Sequence, residues 1–170
     1  MPSVFPINLQ EKAGAEWAVI TGATDGIGKS YAMELAKMRF NVLLISRTQT
    51  KLDETKAMIE EATGGQVEVR TIAVDFSTGD EKNYEPLREV LSDLEIGVLV
   101  NNVGSSFEYP QIIHFSEGGP SRLAQITTTN TLPMVMVEAM SFLPVWAARS
   151  IMERKSHALR HAALKKRRRG

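Results

Sequence analysis

Four short apolar runs alternate along the chain with longer segments whose apolar residues recur at helical spacing. Residues 17–21 form the first run, and 41–46, apolar on both faces, the second. The third covers 67–74 and the fourth 96–100. A run apolar on both faces is what a buried parallel strand requires. Between the runs, Ile27, Tyr31 and Leu35 share one face of a helix expected to begin near Ile27. A second helix is expected over 48–62, with Leu52 and Ile59 inward and Gly64-Gly65 ending it. A third carries Leu87, Val90, Leu91 and Leu94 at i, i+3, i+4, i+7, and a fourth begins near Ser121. All three stripes are expected to be core. The alternation predicts an α/β domain with a doubly wound parallel sheet, strand order 3-2-1-4 and right-handed crossovers.

In such sheets ligands sit beyond the carboxyl ends of the strands, and the residues there have a consistent chemistry. Thr21-Gly22-Ala23-Thr24-Asp25-Gly26-Ile27-Gly28-Lys29 links the first strand to the first helix. A glycine-rich turn at that place lets the backbone approach a pyrophosphate and aims the first helical N–H groups at it. Gly22, Thr24, Asp25, Gly26, Ile27 and Gly28 are the candidates for this contact; the bland alternative is a turn with no ligand. Strand two ends in Ser46-Arg47, where NAD-binding relatives of this architecture carry an acid for the ribose 2′-OH. A guanidinium instead suits the 2′-phosphate of NADP(H), with Lys51 one turn on to assist. Arg47 as a solvated loop residue is the competing reading. Asp75, after strand three, could accept from an adenine amino group or simply form a turn. Asn102 and Gly104, in Asn101-Asn102-Val103-Gly104 after strand four, could line the cofactor or form a turn.

Composition narrows the chemistry further. The 170 residues are 43% apolar, enough for one domain with a core. There is no cysteine, which excludes disulfides and thiolate catalysis. His114, His157 and His161 form no metal-ligand pattern, so no metal is expected. The zero net charge hides an asymmetry. From Arg149 onward nine bases face only Glu153, leaving the preceding residues with 11 bases and 19 acids. Residues 148–164 could form a basic amphipathic helix ahead of Lys165-Lys166-Arg167-Arg168-Arg169. A lipid, nucleic-acid or import role is conceivable for it, but a solvated tail is the expectation. No specific nucleic-acid site is identified. The N-terminus carries no signal-peptide pattern, and Glu138 and Pro144 spoil residues 134–148 as a membrane span.

The Thr-Gly-x-x-x-Gly-Ile-Gly turn resembles that of the short-chain dehydrogenase/reductase family, whose fold is the Rossmann type. The likeness sharpens over residues 20–32, over Leu44-Ile45-Ser46-Arg47 and Lys51-Leu52-Asp53, over 69–76, and over 94–104 with Glu108-Tyr109-Pro110. These segments are similar to the very-long-chain 3-oxoacyl-CoA reductases and 17β-hydroxysteroid dehydrogenase type 12-like proteins. The resemblance runs over about 13–133, the N-terminal part of the cofactor-binding domain; 134–170 is expected to be a divergent apolar, then basic, tail.

It implies NADPH-dependent reduction of a 3-oxoacyl-CoA in fatty-acid elongation, or of a steroid ketone, at the endoplasmic reticulum. The family's hydrophobic membrane segment is not seen, which leaves a cytoplasmic location open. The family's catalytic serine and Tyr-x-x-x-Lys have no counterpart: no tyrosine follows Tyr109, while Tyr31 and Tyr84 are followed four positions on by Leu35 and Arg88. Of the catalytic set only the asparagine has a candidate, Asn130, and a plain polar helix residue is its alternative reading. Without an acid to protonate the developing alkoxide, reduction is disabled. The competing reading is therefore a non-catalytic dinucleotide-binding or interaction module from a truncated member. With nothing like the family's further strands after Pro133, strand four is expected to lie at the sheet edge. Either 134–148 folds over it, or the chain self-associates there.

Overall fold

A computed structural model describes residues 9–107 and 118–142; the basic tail, the three histidines and Tyr109-Pro110 lie outside these residues. The elements are α1 (Leu9–Ala13), β1 (Trp17–Thr21), α2 (Gly26–Lys37), β2 (Asn41–Ser46), α3 (Gln49–Thr63), β3 (Val69–Ala73), a 3-10 turn (Glu81–Tyr84), α4 (Glu85–Ser92), β4 (Ile96–Val100) and α5 (Gly119–Phe142). The strands form one sheet in the order β3-β2-β1-β4, every pairing parallel. This is the predicted α/β topology.

Alternation along the central strands divides the core in two. Trp17 and Val19 of β1 and Leu43 and Ile45 of β2 face a layer containing Tyr84, Leu87, Leu91, Met136 and Val137. Ala18, Ile20, Val42 and Leu44 face the opposite layer, with Ala32, Leu35, Ala36, Leu52 and Ile59. So α4 and α5 cover one face and α2 and α3 the other. The expected stripes of α3 and α4 are core: Leu52, Ile59 and Leu87 are fully buried.

The stripe expected on α2 is not. Ile27 and Tyr31 are 68% and 52% exposed, and only Leu35 is buried. The buried face consists instead of Gly28, Ala32, Leu35 and Ala36. Small residues let the helix axis lie close to the sheet, and the larger side chains one position earlier turn outward. The short α1 was not foreseen; it is five residues long and buries none of them. α3 ends as anticipated, with Gly64 in the left-handed conformation that glycine tolerates.

β4 carries a bulge. Trp17 pairs with Ile96 but Ala18 pairs with Val98, which leaves Gly97 as the extra residue. A Cβ there would stand 2.9 Å from the Ala13 Cβ and 3.1 Å from the Ala15 carbonyl oxygen, so only glycine lets the segment joining α1 and β1 pass. The bulge resets the alternation: Ile96 and Leu99 pack on the α4–α5 side, Val98 and Val100 on the α2–α3 side. α5 continues through Pro133, which lies inside the helix, and places Met136 and Val137 in the core with Leu99 and Leu132. Met136 and Val137 therefore do cover one face of β4. Every β4 residue is still only half-buried, and among the described residues its sole partner is β1.

Candidate functional site

The strand ends converge on a cleft of about 480 Å³. Each wall follows a strand: Gly22 to Gly26 after β1, Arg47 and Lys51 after β2, Asp75 after β3, and Asn102 and Gly104 after β4. Nine of the eleven residues expected to contact a cofactor thus meet in one place. Ile27 and Gly28 are not part of its lining. Ile27 faces outward, and Gly28 works by proximity: a Cβ on it would fall 2.2 Å from the Gly22 carbonyl oxygen and 2.5 Å from the Asn102 amide nitrogen.

The turn is tied down from several directions. Gly22 takes φ of 65° and Gly26 φ of 49°, a region favouring glycine. Asp25 caps α2, its Oδ1 accepting from the Gly26 N–H at 2.7 Å. The next N–H groups, of Ile27 and Gly28, begin the helix without intrahelical acceptors, so both residues can serve an anion through the backbone. The Thr24 and Ser46 hydroxyls are 2.9 Å apart and join the turn to the end of β2.

Thr21, which the sequence pattern placed merely at a strand end, is the knot between β1 and β4. Its fully buried Oγ1 accepts from the Asn102 N–H at 2.9 Å and the Val103 N–H at 3.1 Å. The Asn102 side-chain amide donates to the Gly22 carbonyl at 3.3 Å. The loop after β4 is clasped from the other side by Asn130 of α5, which accepts from the Ser105 N–H at 2.7 Å and donates to the Ser105 carbonyl at 2.9 Å. In this structure Asn130 holds backbone, and Ser105 rather than Asn130 lines the cleft.

Asp75 accepts from the Ser77 N–H at 2.9 Å. That bond, aided by the Ser77 hydroxyl and the charge of Arg47 and opposed by partial burial, holds its carboxyl below the usual carboxylate range. Asp75 is thus turn-forming as well as part of the cleft wall. Arg47 and Lys51 put two cations where no acid follows β2, a donor set suited to phosphate. α5 completes the wall with Arg122, Gln125 and Thr129, a stripe at i, i+3, i+7 that the sequence pattern did not single out.

The family model described as short chain dehydrogenase matches residues 16–150. A very-long-chain 3-oxoacyl-CoA reductase of Caenorhabditis elegans is 56% identical over 144 residues, covering 85% of this chain and 45% of its own length. A very-long-chain 3-oxoacyl-CoA reductase of Macaca fascicularis is 58% identical over 96 residues, covering 56% of this chain and 30% of its own. Among solved structures, a short-chain dehydrogenase from Sphingobium yanoikuyae in complex with NADPH superposes with a TM-score of 0.62 at 25% identity, covering 74% of this chain and 46% of that one. The chain therefore spans less than half the length of these relatives.

Proposed function

The chain belongs to the short chain dehydrogenase family, and from that premise we propose that its cleft binds NADP(H) in preference to NAD(H), as the cofactor-holding part of a reductase for 3-oxoacyl-CoA or steroid ketones. The carrying observation is that Arg47 and Lys51 share one cleft with the glycine-rich turn while the lining that follows β2 contains no carboxylate. The residues present fit the cofactor. Arg47 and Lys51 offer a fork and a point charge to a 2′-phosphate, and the α2 N–H groups suit a pyrophosphate. Asn102 and Gly104 line the wall that follows β4. When bound, the cofactor supplies a hydride. The reductase names of the relatives support the acyl-CoA substrate class and, through it, a place at the endoplasmic reticulum. Among the described residues no helix is long and apolar enough to cross a membrane.

The test is a fluorescence titration of NADPH and NADH into the wild type and Arg47→Ala. NADPH affinity should fall roughly tenfold or more, as expected for losing a charge-assisted contact, with NADH almost unchanged. Equal loss for both cofactors would exclude a 2′-phosphate contact.

A second reading is favoured by one observation: the 170-residue sequence holds no Tyr-x-x-x-Lys. Tyr84 cannot substitute as an acid, because its ring is fully buried and burial pushes its hydroxyl up to about 12. A polypeptide of these 170 residues alone would bind NADPH without oxidising it in the presence of a 3-oxoacyl-CoA. Steady NADPH consumption by that purified polypeptide would refute this second reading and require another proton donor.

A further inference from the structure

Resting on the reading that the cleft holds NADP(H), we propose that Arg122 is a third cofactor-contacting cation beside Arg47 and Lys51, whose guanidinium plane forms the platform on which the purine ring lies.

The argument begins with what the cleft lacks. A flat base needs a flat or apolar surface against one face. Among the described lining residues Phe76 is the only aromatic one, and its ring is 1% exposed. That ring packs in the core against Tyr84, with centroids 5.7 Å apart. Val103, the one aliphatic side chain in the lining, is packed against the same core cluster. Most of the remaining wall is polar or glycine. Two guanidiniums remain in the lining, those of Arg47 and Arg122, each a plane able to cover a π-face through a cation–π and stacking contact. Arg47 is taken up by the 2′-phosphate in the reading above, which leaves Arg122.

Arg122 is prepared for that role. Its Nη1 donates to the Gln125 Oε1 at 2.6 Å, which fixes one edge of the plane. Gln125 lies one turn further along α5, and its carbonyl accepts from the Thr129 hydroxyl at 2.9 Å. The three residues share the helix face that borders the cleft. Arg122 also sits in the first turn of α5, where the helix dipole opposes a cation. Gln125 is its side-chain hydrogen-bond partner among the described residues, and the side chain is only part-buried, so its plane remains open to what enters the cleft. Arg47 and Lys51 already supply charge at the β2 end. Arg122 belongs to a different element and answers a different need.

The test compares Arg122→Ala and Arg122→Lys with the wild type, titrating NADPH, NADH and ADP-ribose, with far-ultraviolet circular dichroism to confirm folding. All three ligands carry the purine, so Arg122→Ala should weaken all three alike, by roughly 3- to 20-fold. Arg122→Lys should recover little of this, because it restores charge without the plane. Arg47→Ala in the same series should weaken NADPH alone. Unchanged affinities in Arg122→Ala, loss confined to NADPH, or full recovery by lysine would each overturn the platform. A wild type that binds none of the three ligands would overturn the cofactor reading itself, and this inference with it.

Discussion

At the scale of single residues, the cleft is held by hydroxyls and amides acting on backbone. The Thr21 Oγ1 takes two N–H groups from the loop after β4, and Asn130 takes both backbone groups of Ser105. Such bonds have low net worth when made but are costly to lose when buried. Tyr84 is the reverse case: its hydroxyl is buried without a partner. Tyr84→Phe should therefore keep or raise stability, by up to about 1 kcal/mol. The hydroxyl also has a pH signature. Its folded-state value is raised from 10.0 to about 12, so the neutral form favours the fold. That contribution is complete below pH 10 and disappears as pH climbs through 12. Urea denaturation at pH 7 and across pH 9–12 would check both points. The phenylalanine variant should lose less stability at alkaline pH. A loss above about 2 kcal/mol at pH 7 would mean that the hydroxyl has a partner after all.

At the scale of elements, the meeting of α2 with the ends of β1 and β4 depends on one missing Cβ. Gly28 lies where an added carbon would be 2.2 Å from the Gly22 carbonyl oxygen. The obstacle is backbone, which cannot swing aside as a flexible side chain can. Gly28→Ala should cost about 1–3 kcal/mol and weaken NADPH binding, since relief requires the turn or Asn102 to shift. Thermal denaturation beside an NADPH titration measures both. Wild-type stability and binding in this variant would show that the turn is more compliant than its packing implies. Gly97 is the same device in the sheet, a bulge residue passing Ala13 and Ala15, and it settles which β4 side chains reach which layer.

At the scale of the whole molecule, the sheet is asymmetric. β1 and β2 are paired on both sides, whereas β4 has β1 alone among the described residues. α5 shields one face of β4 through Met136 and Val137, yet the strand remains half-buried throughout. An edge of this kind offers backbone groups to another chain. Amide exchange should accordingly be slow along 17–21 and 42–45, and fast at the outward-pointing amides of 96–100 in a dilute monomer. Self-association through the edge would make the latter protection rise with protein concentration. Strong protection in a dilute, demonstrably monomeric sample would show that the edge is covered and would rule that route out.

The sequence by itself determined the four strands, their order, the helices between them and most of the cleft. Period and punctuation are local: Val42 to Ile45 reads as a buried strand from its own composition, and the glycine turn announces the strand–helix junction. A parallel sheet then brings Gly22, Arg47, Asp75 and Asn102 together, because each follows the end of a neighbouring strand. The tertiary structure decided what depends on contact between distant segments. Ile27 and Tyr31 have the spacing of a core stripe, but the sheet accepted Gly28, Ala32 and Ala36 because small side chains permit a closer approach. The bulge at Gly97 reversed the phase of β4, which no count along 96–100 foretells. Thr21 and Asn130 acquired their roles from partners 25 to 82 positions away in the chain, and a polar residue's partner is set by the packing that delivers it.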